Sequence, residues 1–229
     1  VPGSITNEKF IDDANGLFAE FSDKIILLDS RHYGHKIKNV IRKTNEVEAA
    51  KLCGAKVDYG DIINIEDAKK YILSLNERDG KAVFLTRGPR GILAAQSGEL
   101  TEIPGIETIG RIDPVGAGDT TISALACALS AGADPGQAGD FANLAAGVTV
   151  RKLFETGTAC PEEIIELSQS AQYIYQPELA DDIRQAKYIE KSEIEICAAR
   201  LDSGQIKHAV FDHDGTISTL RQGWEAVMQ

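Results

Sequence analysis

This sequence is short of positive charge, of cysteine and of long apolar runs. Its 24 lysines and arginines are outnumbered by 35 aspartates and glutamates, for a formal net charge of -11 and a pI near 4.9. That balance argues against general binding to nucleic acid or to an anionic membrane. No stretch approaches the roughly 20 apolar residues of a membrane-spanning helix, and no charged-then-apolar leader opens the sequence. A cytoplasmic location is expected. Cys53, Cys127, Cys160 and Cys197 are scattered without metal-binding spacing, so buried free thiols in a reducing compartment are expected. His32 and His35 have no nearby cysteine or acidic cluster to complete a metal site. Internal repeats and low-complexity tracts are also lacking. Otherwise the composition is ordinary for a globular protein, 43% hydrophobic and 26% charged over 229 residues, enough for one large domain or one domain plus part of another.

What the sequence does have is a glycine-rich turn that opens a helix. Ile112-Asp113-Pro114-Val115-Gly116-Ala117-Gly118-Asp119-Thr120 precedes Ile122, Leu125, Ala126 and Leu129, which recur at helical spacing, and Gly132 follows as a stop. The pattern predicts a helix from about Gly118. The first N–H groups of a helix have no intrahelical acceptor, and the dipole makes that end electropositive. Glycine lets a phosphate approach such a backbone closely. Asp119 would repel a phosphate that was only bound there. Its place makes sense if it takes the proton of a hydroxyl that attacks phosphorus. The arrangement reads as phosphoryl transfer to an alcohol, set against the plainer reading of Asp119 as an ordinary first-turn residue.

The full string resembles the Asp-Thr-x-Gly-Ala-Gly-Asp signature of the ribokinase-like (PfkB) sugar kinases, with Pro114 in place of the threonine. The resemblance implies Asp119 as catalytic base and Gly116, Ala117 and Gly118 as the anion hole. Lys43-Thr44-Asn45-Glu46-Val47-Glu48 looks like the family's Asn-x-x-Glu element, which implies Asn45 and Glu48 as organisers of Mg2+ and phosphates. Oxygen ligands acting partly through water suit that hard cation. Ala82 to Thr86 reads as a buried strand, Arg87 to Gly91 as a turn and Ile92 to Ala95 as another strand. That segment resembles the family's nucleotide-phosphate loop and implies Thr86, Gly88 and Gly91 as nucleotide-binding. Phe141-Ala142-Asn143-Leu144-Ala145-Ala146-Gly147 is similar to the helix start that lines the adenine pocket, which implies Asn143 and Ala146. Taken singly, these segments also read as a capped helix, a hairpin and a tightly packed core helix. ATP would be drawn to this acidic chain by helix N-termini, magnesium, and Arg87 or Arg90. A monovalent cation such as K+ assists many family members; the resemblance places it by Asp113 and Gly157-Thr158, with Pro114 standing where one ligand is expected.

Strands and helices alternate along the chain. Helices are expected over Phe10 to Phe21, Glu46 to Leu52 and Ile65 to Asn76, and from near Asp119, Gln137 and Pro161. Lys24 to Asp29 reads as a strand, and a hairpin-rich stretch runs to Glu107. Apolar strands between helices predict an α/β fold of three layers, α/β/α, with a mainly parallel sheet. Ligands in such sheets sit beyond the C-terminal strand ends. The resemblance covers roughly Phe10 to Ser168, the nucleotide-binding half, so a fragment without the family's N-terminal part and lid is expected.

A second motif lies near the other end. Ile206-Lys207-His208-Ala209-Val210-Phe211-Asp212-His213-Asp214-Gly215-Thr216-Ile217-Ser218 reads as an apolar strand ending in two carboxylates one residue apart, which can converge on one cation. It looks like motif I of the haloacid dehalogenase (HAD) phosphatases. That resemblance implies Asp212 as nucleophile, Asp214 as general acid/base, and both as Mg2+ ligands; the plainer reading is an Asp-Gly turn. The expected organisation is a kinase part over 1–170, a helical linker over 171–206 and the start of a HAD-like domain over 207–229. The expected function is ATP-dependent phosphorylation of a sugar or sugar phosphate, of the heptose-phosphate type by the resemblance of Phe141 to Val150 with Lys152-Leu153, fused to a phosphatase. Partners are a nucleotide and a small sugar, without nucleic acid or membrane, and a homo-oligomer is compatible. The other readings are a non-catalytic nucleotide-binding module, or a phosphatase with the kinase half as scaffold.

Overall fold

The computed structural model describes residues 7–108, 111–154, 157–175, 187–188, 195–196 and 207–211. The chain divides into two compact units, Val1–Ala186 and Lys187–Gln229. The first unit opens with α1 (Glu8–Glu20), capped by Asn7, whose side chain accepts the Phe10 N–H. Next come β1 (Leu27–Asp29), β2 (Ile41–Asn45), α2 (Glu46–Leu52), α3 (Ile65–Asp79) and β3 (Val83–Thr86). A 3-10 turn at Gly88–Arg90 leads to β4 (Ile92–Gln96), β5 (Glu99–Ile103) and β6 (Gly105–Ile106). Helices α4 (Ala117–Ser130), α5 (Pro135–Thr149) and α6 (Pro161–Ser170) follow, then β7 (Tyr173–Ile174).

The main sheet runs β1-β2-β3-β4-β5, parallel across the first three strands and antiparallel across β3-β4 and β4-β5. Side chains alternate across β3, so Val83 and Leu85 face one way and Phe84 the other. Val83, Leu85, Leu93 and Ala95 bury against Ala49 and Ala50 of α2 and Ala68, Ile72 and Leu75 of α3. Phe84, Ile92, Ala94 and Ile103 bury against Ala124 and Leu125 of α4 and Ala138, Ala142 and Ala145 of α5. Each large side chain so buried contributes about 1.5–3 kcal/mol, which is why helices cover both faces. The result is an α/β fold of three layers. Small residues bring α5 close to the sheet: a Cβ on Gly139 would lie 2.9 Å from Ile103 Cδ1.

Several expectations need correction. The first strand is shorter than Lys24 to Asp29, starting at Leu27. Of the cysteines described, Cys127 on α4 and Cys160 at the start of α6 are exposed, and Cys53 at the end of α2 packs half-buried against the core. In the stretch expected to be a helical linker, the described residues form short strands: β7 pairs with β6, and in the second unit β8 (Lys187–Tyr188) pairs antiparallel with β9 (Glu195–Ile196). The apolar run before Asp212 was expected to be a strand. Residues 207–211 form none, and Val210 and Phe211 are 99% and 67% exposed, since no strand among the described residues covers them. Asp212 and Asp214 lie outside the described residues. No helix among the described residues is long and apolar enough to cross a membrane.

Candidate active site

The parallel strands β1, β2 and β3 end on one edge of the sheet, with Asp29 paired to Lys43 and Asn45 to Thr86 in register. Strand β2 runs straight into α2. Asn45 caps that helix by accepting the Glu48 N–H at 2.9 Å, and Glu48 Oε2 accepts the Asn45 N–H at 3.2 Å and the Thr44 hydroxyl at 3.3 Å. The Asn-x-x-Glu spacing is thus a reciprocal capping box. Glu48 Oε1 is outside the box and lies 3.6 Å from Arg31 Nε.

The next loop is held from below. Arg90 is buried, with its Nη2 2.5 Å from Glu46 Oε1, and Arg87 Nε lies 3.6 Å from Glu46 Oε2. Both guanidinium groups also donate to the Ile63 carbonyl. They were expected to face a nucleotide; instead they fasten the loop to α2, because two buried cations need the buried Glu46 and a carbonyl as acceptors. Thr86 closes β3, its hydroxyl directed to the Thr44 carbonyl at 3.4 Å. Gly88 has φ 59° and Gly91 φ 86°. A Cβ on Gly91 would also overlap the Ile103 carbonyl, so glycine is required there. Asn143, buried on α5, donates to the Pro104 carbonyl at 2.8 Å, which leaves its own carbonyl oxygen for other use. Ala146 is half-buried on the same helix.

Helix α4 begins differently. Its N-cap, Gly116, is left-handed at φ 82° and offers no side chain to the first turn. Ala117 N–H reaches the Pro114 carbonyl at a long 3.2 Å, and the first closed helical bond runs from Thr120 to Gly116 at 2.9 Å. The N–H groups of Gly118 and Asp119 therefore stand at the helix mouth without an intrahelical acceptor. Asp119 is exposed in that first turn. Upstream, Asp113 accepts the Val115 N–H at 3.0 Å and the Phe154 N–H at 3.3 Å, tying the glycine-rich turn to the loop after α5.

Sequence reasoning passed over Lys43. It sits on β2 at 7% exposure, bonded to Asp29 at 2.6 Å, and a Cβ on Gly118 would lie 3.1 Å from its Nζ. The available signal was slight, a lysine two residues before Asn45 of the Asn-x-x-Glu element. Lys43 joins the ends of β1 and β2 to the mouth of α4. Among the described residues no group of three His, Cys, Asp or Glu side chains forms a ready metal cage.

The family model for pfkB family carbohydrate kinases matches residues 32–161. A bifunctional protein HldE of Shewanella sp. (strain ANA-3) is 38% identical over 141 residues, 60% of this chain and 27% of that protein. Another, from Shewanella putrefaciens, is 46% identical over 96 residues, 40% of this chain and 19% of its own length. The chain thus spans about a quarter or less of the curated relatives it matches. Among solved structures, phosphofructokinase-2 from Escherichia coli in complex with potassium superposes with a TM-score of 0.59 at 16% identity, over 70% of this chain and 52% of that one. Ribokinase from Thermotoga maritima gives 0.54 at 21% identity, over 68% and 54%. These likenesses establish the ribokinase-like fold.

Proposed function

The chain belongs to the pfkB family of carbohydrate kinases, and on that premise we propose that it moves the terminal phosphoryl group of ATP to a hydroxyl of a sugar or sugar phosphate. The carrying observation is the start of α4, a helix mouth without a side-chain cap and with an exposed carboxylate in its first turn. Asp119 takes the acceptor proton as the hydroxyl oxygen bonds to phosphorus. The Gly116-Ala117-Gly118 backbone stabilises charge on the transferring group. Thr86, Gly88, Gly91, Asn143 and Ala146 line the nucleotide site on this reading.

Magnesium fits Asn45 and Glu48, since Glu48 keeps Oε1 outside its capping box. Few protein ligands suit an ion that retains waters and phosphate oxygens. When bound it neutralises phosphate charge. A monovalent cation such as K+ would sit by Asp113 and Gly157-Thr158, where Asp113 already orders two loops. A heptose phosphate is the acceptor favoured by the resemblance of Phe141 to Val150. In a protein carrying the complete sugar site, Asp119→Asn should lower kcat by at least about 10²-fold with nucleotide affinity little changed. Near-normal turnover would remove Asp119 from the mechanism.

We also propose that residues 171–206 join the kinase part, 1–170, to the start of a HAD-like phosphatase at 207–229, with Asp212 as nucleophile and Asp214 as acid/base. The support is the Asp-x-Asp-Gly-Thr string. Trapping the parent protein with a labelled phosphoester should mark Asp212; a label on another residue would refute the assignment.

A further inference from the structure

Lysine is seldom buried without a purpose for its charge. Lys43 is buried beside another positive feature, the amino end of α4. Its ammonium carries three protons, and Asp29 takes one bond at 2.6 Å. Asp29 keeps 29% of its side chain exposed and could be solvated without a lysine. Neutralising Asp29 therefore does not explain why the cation was brought against a helix mouth of the same sign. An anion lying between the two does explain it. Gly118 makes the approach workable, because any side chain there would meet the ammonium at 3.1 Å.

We propose that Lys43 contacts phosphate in this site: its ammonium bonds an oxygen of the terminal phosphoryl group of ATP at the mouth of α4, and Asp29 positions it. This deepens the kinase reading and rests on it. In the transfer, the bond from phosphorus to the bridging oxygen of ADP breaks with its electrons going to ADP. The bond from the acceptor oxygen to phosphorus forms, and the acceptor proton passes to Asp119. Lys43 keeps its protons throughout and acts as a fixed point charge on a group whose negative charge spreads over its outer oxygens.

The test is calorimetry on the full chain with Mg·ATP, Mg·ADP and AMP, alongside thermal unfolding of each variant. Lys43→Met should raise the Kd for Mg·ATP at least about tenfold, the usual effect of losing a charged hydrogen bond, while moving that for AMP less than about twofold. Lys43→Arg should restore most of the ATP affinity. Gly118→Ala displaces only the flexible end of Lys43, so it should fold and weaken Mg·ATP in the same direction. If Lys43→Met does not fold, Lys43→Gln, which loses the charge and keeps a polar end, takes its place. Unchanged Mg·ATP affinity in a folded Lys43→Met, or in Gly118→Ala, overturns the proposal and leaves the kinase reading standing. Equal loss of ATP and AMP shows a structural role only and also overturns it. A wild-type chain that binds no nucleotide overturns the kinase reading itself.

Discussion

Helices α2 and α4 start at the same end of the sheet, yet their first turns are built in opposite ways. The start of α2 is closed: Asn45 and Glu48 exchange hydrogen bonds, and Glu46 below them holds Arg90. The start of α4 is open, with a left-handed glycine for a cap and no side-chain hydrogen bond from the cap to its amides. Helices α1, α3 and α5 also carry an Asn or Asp whose side chain accepts a first-turn N–H, so α4 departs from the habit of its own fold. The contrast separates two kinds of chemistry. A closed start presents carboxylate and amide oxygens, which suit a cation. An open start presents N–H groups and the positive end of a dipole, which suit a phosphate.

Paired substitutions should break that contrast. Gly116→Ala forces a side chain into the left-handed region, costing about 1–2 kcal/mol of stability, and by turning the amides away it should weaken Mg·ATP binding roughly tenfold. Asn45→Ala should cost about 1 kcal/mol through loss of the cap and raise the Mg2+ concentration that nucleotide binding requires, with a smaller loss of ATP affinity than Gly116→Ala once Mg2+ is saturating. Thermal unfolding and calorimetry on the same samples report both numbers. Equal losses of ATP affinity in the two variants would erase the distinction.

A smaller effect concerns α6, whose start is again closed. The Cys160 N–H donated to Glu163, then the Lys152 ammonium 2.7 Å away, hold the Glu163 carboxyl down to about 2 from an ordinary value near 4.5. A depressed carboxyl stabilises the fold above its unfolded value and loses that contribution as pH falls through the folded one. The difference in Tm between wild type and Glu163→Gln should therefore shrink as pH is lowered from about 4.5 towards 2. A difference independent of pH would show that the charge of Glu163 has no part in closing this turn.

Much of this was legible in sequence because the signals are local. The apolar spacing of Ile122, Leu125 and Leu129 marks α4, and Asn45 with Glu48 three residues on marks a helix start. The alternation of strands and helices marks the three layers. What was missed depends on contacts distant in sequence. Arg87 and Arg90 look like exposed loop cations until Glu46, some forty positions away, is seen to bury them. Lys43 looks like a surface charge until its contacts with Asp29 and Gly118 are known. The helical reading of 171–206 failed at Tyr173–Ile174, two strand-favouring residues that find their partner in the distant Gly105–Ile106.

The most direct test of the central claim, that α4 is left open for phosphate, is amide chemical-shift mapping of the chain titrated with a non-hydrolysable Mg·ATP analogue. The largest shifts among helix starts should fall on Ala117, Gly118 and Asp119, with Mg2+ alone moving only Asn45 to Glu48. Unmoved amides at 117–119 in a chain that binds the nucleotide elsewhere would contradict the account.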